Sequence, residues 1–140
     1  MIIMSVDYGD VRTGVAVCDK NEILASPVTV ITERDADALV EKIITLAKER
    51  NVQMFVVGLP KNMDGSEGFR ADACKQFAAN LQEKSGLTVD MYDERLTTVS
   101  AHNALNMTNT RGKKRKIVVD QVAAVVILQD YIDFRKNQNI

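Results

Sequence analysis

The sequence predicts an α/β domain built on a five-stranded mixed sheet flanked by helices, in the order β-β-β-α-β-α-β-α. Three observations predict it. Short apolar runs follow one another at the start of the chain: Met1–Val6, Val15–Cys18 and Ile23–Ile31. Stretches with apolar residues at helical spacing then alternate with two further apolar runs, Val52–Gly58 and Leu87–Tyr92. Glycine-bearing polar segments separate the runs, as turns require.

The first two runs are joined by Tyr8-Gly9-Asp10-Val11-Arg12-Thr13-Gly14 and read as a hairpin. Gly9 and Gly14 can take positive φ or let a phosphate or metal approach the backbone. The third run completes an antiparallel meander, and Pro27 places it at a sheet edge or a bulge. Asp35–Arg50 carries Ala36, Leu39, Val40, Ile43, Ile44, Leu46 and Ala47 on one helical face, with Thr32 or Asp35 as the cap. Val52–Gly58 is too apolar to meet water on either face and reads as a buried parallel strand. A helix follows over Glu67–Lys84, with Phe69, Ala73, Phe77, Ala78 and Leu81 inward, Ser66 as a possible cap and Gly86 as its stop. Leu87–Tyr92 is the fifth strand. Beyond it Thr97–Leu105 reads as helix, Asn106–Lys116 as a loop and Val118–Phe134 as a last amphipathic helix.

A chain of 140 residues, 46% hydrophobic, has material for one compact domain. Its 18 Lys and Arg stand against 19 Asp and Glu. That balance excludes a globally basic nucleic-acid binder, so any such contact must come from local clustering. Cys18 and Cys74 lack metal-ligand spacing and read as free thiols. No run reaches the roughly 18 apolar residues of a membrane span, and the N-terminal run lacks a basic leader, so a cytoplasmic protein without a membrane partner is expected.

Open α/β sheets carry their sites outside the carboxyl ends of their strands. Asp7 ends the first strand, Asp93 and Glu94 end the fifth, and Asp120 lies near the start of the last helix. If these acids converge, their repulsion calls for cations, and Mg2+ or Mn2+ suits an oxygen-only set. Two such ions roughly 3.5–4 Å apart would serve phosphodiester cleavage. Surface carboxylates far from any site are the plainer alternative. Arg111-Gly112-Lys113-Lys114-Arg115-Lys116 puts five cations in six positions just before Asp120. It can be a solvated loop or a set of phosphate contacts, and its place favours phosphates. In the turn-rich segment Gly58–Arg70, Lys61, Asn62 and Arg70 lie at the sheet edge that carries Asp7, where they can bind a phosphate. Arg12 can serve a phosphate or pair with Asp10 or Asp19. His102, the single histidine, is assigned no chemistry. Tyr8 and Tyr92 are equally suited to lining a cleft and to packing.

The chain resembles the YqgF/RuvX family, described as Holliday junction resolvases or pre-16S rRNA nucleases of the RNase H-like superfamily. The resemblance rests on Asp7-Tyr8-Gly9 with Arg12-Thr13-Gly14-Val15-Ala16 and Asp19, and on Gly58-Leu59-Pro60 with Asn62-Met63-Asp64-Gly65-Ser66. It extends to Asp93-Glu94-Arg95-Leu96-Thr97-Thr98 and to Asp120 with Ala123-Ala124 and Ile127-Leu128-Gln129. It implies an RNase H-like fold and a metal-holding catalytic triad of Asp7, Glu94 and Asp120. Glu94 is chosen over Asp93 because adjacent strand residues face opposite ways and only one of them can readily aim at the site. Arg95, within the third motif, joins the expected backbone contacts. The better-known junction resolvases carry an acid on the strand after the first helix, where this chain has Gly58-Leu59-Pro60.

The expected activity is metal-dependent cleavage of structured nucleic acid, foremost the 5′ end of precursor 16S rRNA, with four-way junction DNA as the other substrate. Ribosomal assembly intermediates are possible partners, and either a monomer or a homodimer would serve. Two rivals are a non-catalytic nucleic-acid-binding module and a nucleotide binder of the actin-like type, suggested by Asp7-Tyr8-Gly9. The latter pairs two domains, and this chain has length for one.

Overall fold

A computed structural model describes residues 1–60, 67–93 and 112–138, the side chains of 112–121 and 138 excepted. Lys61, Asn62, Ser66, Glu94, Arg95, Arg111 and the expected helix Thr97–Leu105 lie outside the described residues. The elements are β1 (Ile3–Asp7), β2 (Arg12–Cys18), β3 (Ala25–Thr32), α1 (Ala36–Glu49), β4 (Met54–Leu59), α2 (Phe69–Ser85), β5 (Thr88–Asp93) and α3 (Gly112–Gln138). They form a five-stranded sheet in the order β3-β2-β1-β4-β5. β1, β2 and β3 make the expected antiparallel meander, while β4 runs parallel to both β1 and β5.

Alternation along the strands gives each face its own core. Met4, Val6, Val15, Phe55 and Val57 pack on Leu39, Val40 and Ile43 of α1 and on Phe77, Ala78 and Leu81 of α2. Ile3, Ala16, Cys18, Met54 and Val56 pack on Ala124, Ile127, Leu128, Tyr131 and Ile132 of α3. Every residue of β4 is buried, as its uninterrupted apolar run implies.

Several local details follow from single residues. β3 is an edge strand, and its register with β2 slips between Val15 and Ala16, opposite Pro27 and Thr29; the proline takes both of its expected refuges. Asp35 caps α1, its side chain accepting from the Asp37 N–H. After α1 the chain turns through Asn51 at φ 57°, a left-handed conformation that asparagine tolerates, and the Val52 N–H closes back on the Ala47 carbonyl. Gly86 ends α2 at φ 72°, as expected. Tyr131 of α3 donates to Asp90 of β5 at 2.6 Å, and burial together with that bond pushes its hydroxyl pKa up to about 12.

Four expectations are corrected. Ile23 and Leu24 precede β3 instead of opening it. Their backbone N–H groups donate to the Asp19 carboxylate, at 2.9 and 2.8 Å, which leaves the pair in a loop with both side chains exposed. Phe69 is 89% exposed, not inward. The buried stripe of α2 is Ala71, Cys74, Phe77, Ala78 and Leu81, and Phe69 stands about 160° round the helix from Ala71. The N-cap of α2 is Gly68, so the helix starts at Phe69 and not at the expected Glu67. Finally, Gly112–Lys116 belongs to α3 and not to a loop. Lysine and arginine are good helix formers, and no proline interrupts the run.

The Asp19 carboxylate, which also accepts from the Asn21 N–H at 3.0 Å, has its pKa lowered by the backbone bonds from Leu24 and Ile23. A depressed acid stabilises the fold above its unfolded value, about 3.9, and loses that contribution as pH falls through the folded value. The thermal midpoint of the parent should therefore exceed that of Asp19→Asn at pH 7, with the gap narrowing below pH ~4 in paired melting curves.

Candidate active site at the carboxyl end of β1

β1 delivers Asp7, partly buried, to the carboxyl edge of the sheet. Asp7 shares strand parity with Ile3 and Ser5, which are turned toward α3. Directly opposite it on β2 is Gly14. On the other side Val6 pairs with Val57, which brings Gly58 beside Asp7, and Gly58 in turn pairs with Tyr92. The two strand positions flanking Asp7 therefore carry no side chain. Gly14 is itself buried, with its backbone in a regular strand, and shares the parity of Ala16, whose side chain faces α3.

Ser5, fully buried, donates from Oγ to the Ala124 carbonyl of α3 at 2.7 Å. Arg135, further along α3, donates to Glu22 at 2.8 Å, and Glu22 also accepts from the Met1 amino group beside the amino end of β1. The helix thus runs antiparallel to β1. One turn before Ala124, about 6 Å along the axis, is helix position 120. Two residues beyond Ser5, about 6.6–6.8 Å along the strand, is Asp7. Both steps go toward the carboxyl edge of the sheet. The helix position of Asp120 and the strand position of Asp7 therefore both lie toward the carboxyl edge of the sheet on the α3 face, although 113 positions separate them in sequence.

The turn after Asp7 is tightly built. The Gly9 N–H donates to the Thr13 hydroxyl at 3.2 Å, and Thr13 is fully buried. A Cβ on Gly9 would lie 2.0 Å from the Arg12 carbonyl oxygen. Gly9 is thus required by close backbone approach; its φ is not in the left-handed region. Gly9→Ala should shift this turn, lowering stability by about 1–3 kcal/mol and cleavage with it, as chemical denaturation and a rate assay would show.

Tyr8 points to the opposite face from Asp7 and packs there, its ring stacked on Phe77 at 4.3 Å and 7°. Arg70, in the first turn of α2, donates to the Tyr8 carbonyl and, at 2.7 Å, to Asp10 Oδ1. Sequence reasoning placed Arg70 at this edge correctly but missed Asp10 as its partner. It also missed Ser5, whose only signal is a hydroxyl inside an apolar strand. Arg12 opens β2 at the same edge. Lys113, Lys114, Arg115 and Lys116 occupy the first two turns of α3.

Among the described residues no group of three or more His, Cys, Asp or Glu is placed to hold a metal; Glu94 and the side chain of Asp120 lie outside them. What is described fits a hard divalent ion: a carboxylate donor with no side chain from either flanking strand position in its way.

The sequence profile of the family described as RuvX, Holliday junction resolvase, matches residues 1–134. The chain belongs to the RuvX family. Three relatives agree over almost their whole length. A protein of Chloroflexus aurantiacus, provisionally named a pre-16S rRNA nuclease, is 40% identical over 97% of this chain and 89% of its own. Relatives with the same provisional name from Lachnospira eligens and Bacillus cereus are 42% and 44% identical, over 97% and 95% of this chain and 99% and 98% of theirs. Among solved structures, T. thermophilus RuvC in complex with a Holliday junction substrate superposes with a TM-score of 0.62 at 11% identity, over 98% of this chain and 96% of that one. The fowlpox virus resolvase bound to Holliday junction DNA gives 0.56 at 14%, over 96% and 99%. The fold is RNase H-like, and membership of this family makes the chain a nuclease.

Proposed function

We propose that the chain is a Mg2+- or Mn2+-dependent endonuclease that trims the 5′ end of precursor 16S rRNA in the cytoplasm, with Asp7, Glu94 and Asp120 as its catalytic and metal-holding residues. The observation that carries this reading is the Ser5–Ala124 bond, which supports helix position 120 lying toward the edge of the sheet where glycines flank Asp7. Strand parity supports Glu94 over its neighbour. Asp90 and Tyr92 both meet Tyr131 on the α3 face, so Asp93 belongs to the other face, away from Asp7. When bound, the metal supplies Lewis acidity, activating a water and neutralising charge on the leaving oxygen.

The chain's own residues hold and orient the polymer. The start of α3 has no acidic residue in its first turn and carries a run of cations at the positive end of the helix dipole. That arrangement is unfavourable alone and is relieved by an anion, which supports phosphate contact by Arg111, Lys113, Lys114, Arg115 and Lys116. Arg12, Lys61, Asn62, Arg70 and Arg95 complete the proposed backbone contacts. The names of the relatives favour rRNA. The family description favours a second reading, resolution of four-way DNA junctions. One assay separates them: precursor rRNA and a four-way junction offered side by side with and without Mg2+, with Asp7→Asn as control. Metal-dependent cleavage of the rRNA alone is the expected result, and cleavage of the junction alone selects the second reading. Salt-sensitive binding without cleavage in any metal would leave only a binding module.

A further inference from the structure

Arg70 is held in an unusual way for a surface cation. Its Nη2 donates to the Tyr8 carbonyl, and its guanidinium lies 5.3 Å from the centroid of the Tyr8 ring, which is itself stacked on Phe77. These contacts fix the plane of the fork from the protein side. The remaining contact is different in kind. Nη1 donates at 2.7 Å to Asp10, whose side chain is 85% exposed, while that of Arg70 is 37% exposed. Asp10 stands three residues after Asp7, in the turn that leads away from it.

An ion pair with so exposed an acid contributes little and exchanges readily. A pre-oriented guanidinium, by contrast, is well suited to a phosphate, whose oxygens match its fork. We propose that Arg70 is a phosphate-binding residue whose fork Tyr8 keeps oriented, and that the Asp10 carboxylate is a placeholder occupying the position of a backbone phosphate until nucleic acid arrives. This rests on the nuclease reading above and adds to it a specific subsite at the sheet edge that carries Asp7, with an internal competitor for it. The competitor also accounts for Asp10 itself, an exposed acid at an edge where a polyanion must approach.

The test is a double-mutant cycle on binding, in the full chain carrying Asp7→Asn so that no cleavage intervenes. A fluorescent structured RNA hairpin at fixed ~0.1 M salt is the probe, read by anisotropy, with a melting curve for each variant. Asp10→Asn should tighten binding about three- to tenfold, and Arg70→Gln should weaken it by a similar factor. The gain from Asp10→Asn should disappear in the R70Q background. Equal tightening with and without Arg70 would mean that Asp10 acts only by general repulsion, and overturns the proposal. No tightening in either background overturns it as well. A parent that binds no nucleic acid defeats both this proposal and the nuclease reading, whereas tight binding indifferent to Asp10 defeats the proposal alone. Arg70→Lys, which retains the charge but not the fork, replaces Arg70→Gln if the latter fails to fold, and should equally abolish the Asp10→Asn gain.

Discussion

Asp7→Asn is expected to lower the cleavage rate by at least about 10²–10³-fold while leaving the fold intact. The magnitude follows from the role proposed for the residue: outer partners of metal ligands already cost 10–100-fold when removed, and a direct ligand should cost more. The substitution keeps the shape of the side chain while exchanging a charged oxygen for an amide NH2, at a position whose flanking strand neighbours, Gly14 and Gly58, carry no side chains. The thermal midpoint should hold or rise, because on the proposed reading a carboxylate is withdrawn from the company of Glu94 and Asp120. Initial rates over a Mg2+ and Mn2+ titration, set beside a melting curve, check both halves. Undiminished cleavage at saturating metal in a clean preparation would sink the assignment of Asp7.

Phe55→Ala should cost about 3–5 kcal/mol of stability. Phe55 lies on β4 between β1 and β5, is wholly buried, and belongs to the core that α1 and α2 close. Truncation leaves a cavity that strands paired on both sides cannot collapse to fill. Against a typical total of about 5–15 kcal/mol the loss is large enough to unfold part of the population at 37 °C. Chemical denaturation measures it directly. Phe69→Ala provides the internal contrast: the same change on an 89% exposed side chain should move stability by less than about 0.5 kcal/mol.

The two phenylalanines also show what was legible in the sequence. Strands gave themselves away through uninterrupted apolar runs and through Pro27, and α1 through a clear apolar stripe. The amphipathic pattern of α2 is weaker. Small residues, Ala71, Cys74 and Ala78, form much of its inner face, so the bulkier Phe69 drew the stripe to the wrong side. The start of α3 was hidden by charge, since a run of cations looks like solvent-exposed loop whether or not its backbone is helical. At the candidate site, Asp7 was legible because an acid closing an apolar strand stands out. Ser5 was not, because a buried hydroxyl has meaning only through the carbonyl it finds 119 residues later. Arg70 was readable as an edge cation, but nothing local tied it to Asp10.

That long separation has a consequence for how the protein comes into being. Ser5 of β1 and Ala124 of α3 are 119 residues apart, and contacts between chain segments so far apart form late because the loop they close is long. Before α3 docks, Ile3, Met54 and Val56 on one face of the sheet lack the cover that, among the described residues, α3 gives them. Any chemistry shared between the end of β1 and α3 is likewise absent until that step. A partly folded chain in which α3 is undocked should therefore be silent as a nuclease, and activity should appear only with the docking of that helix.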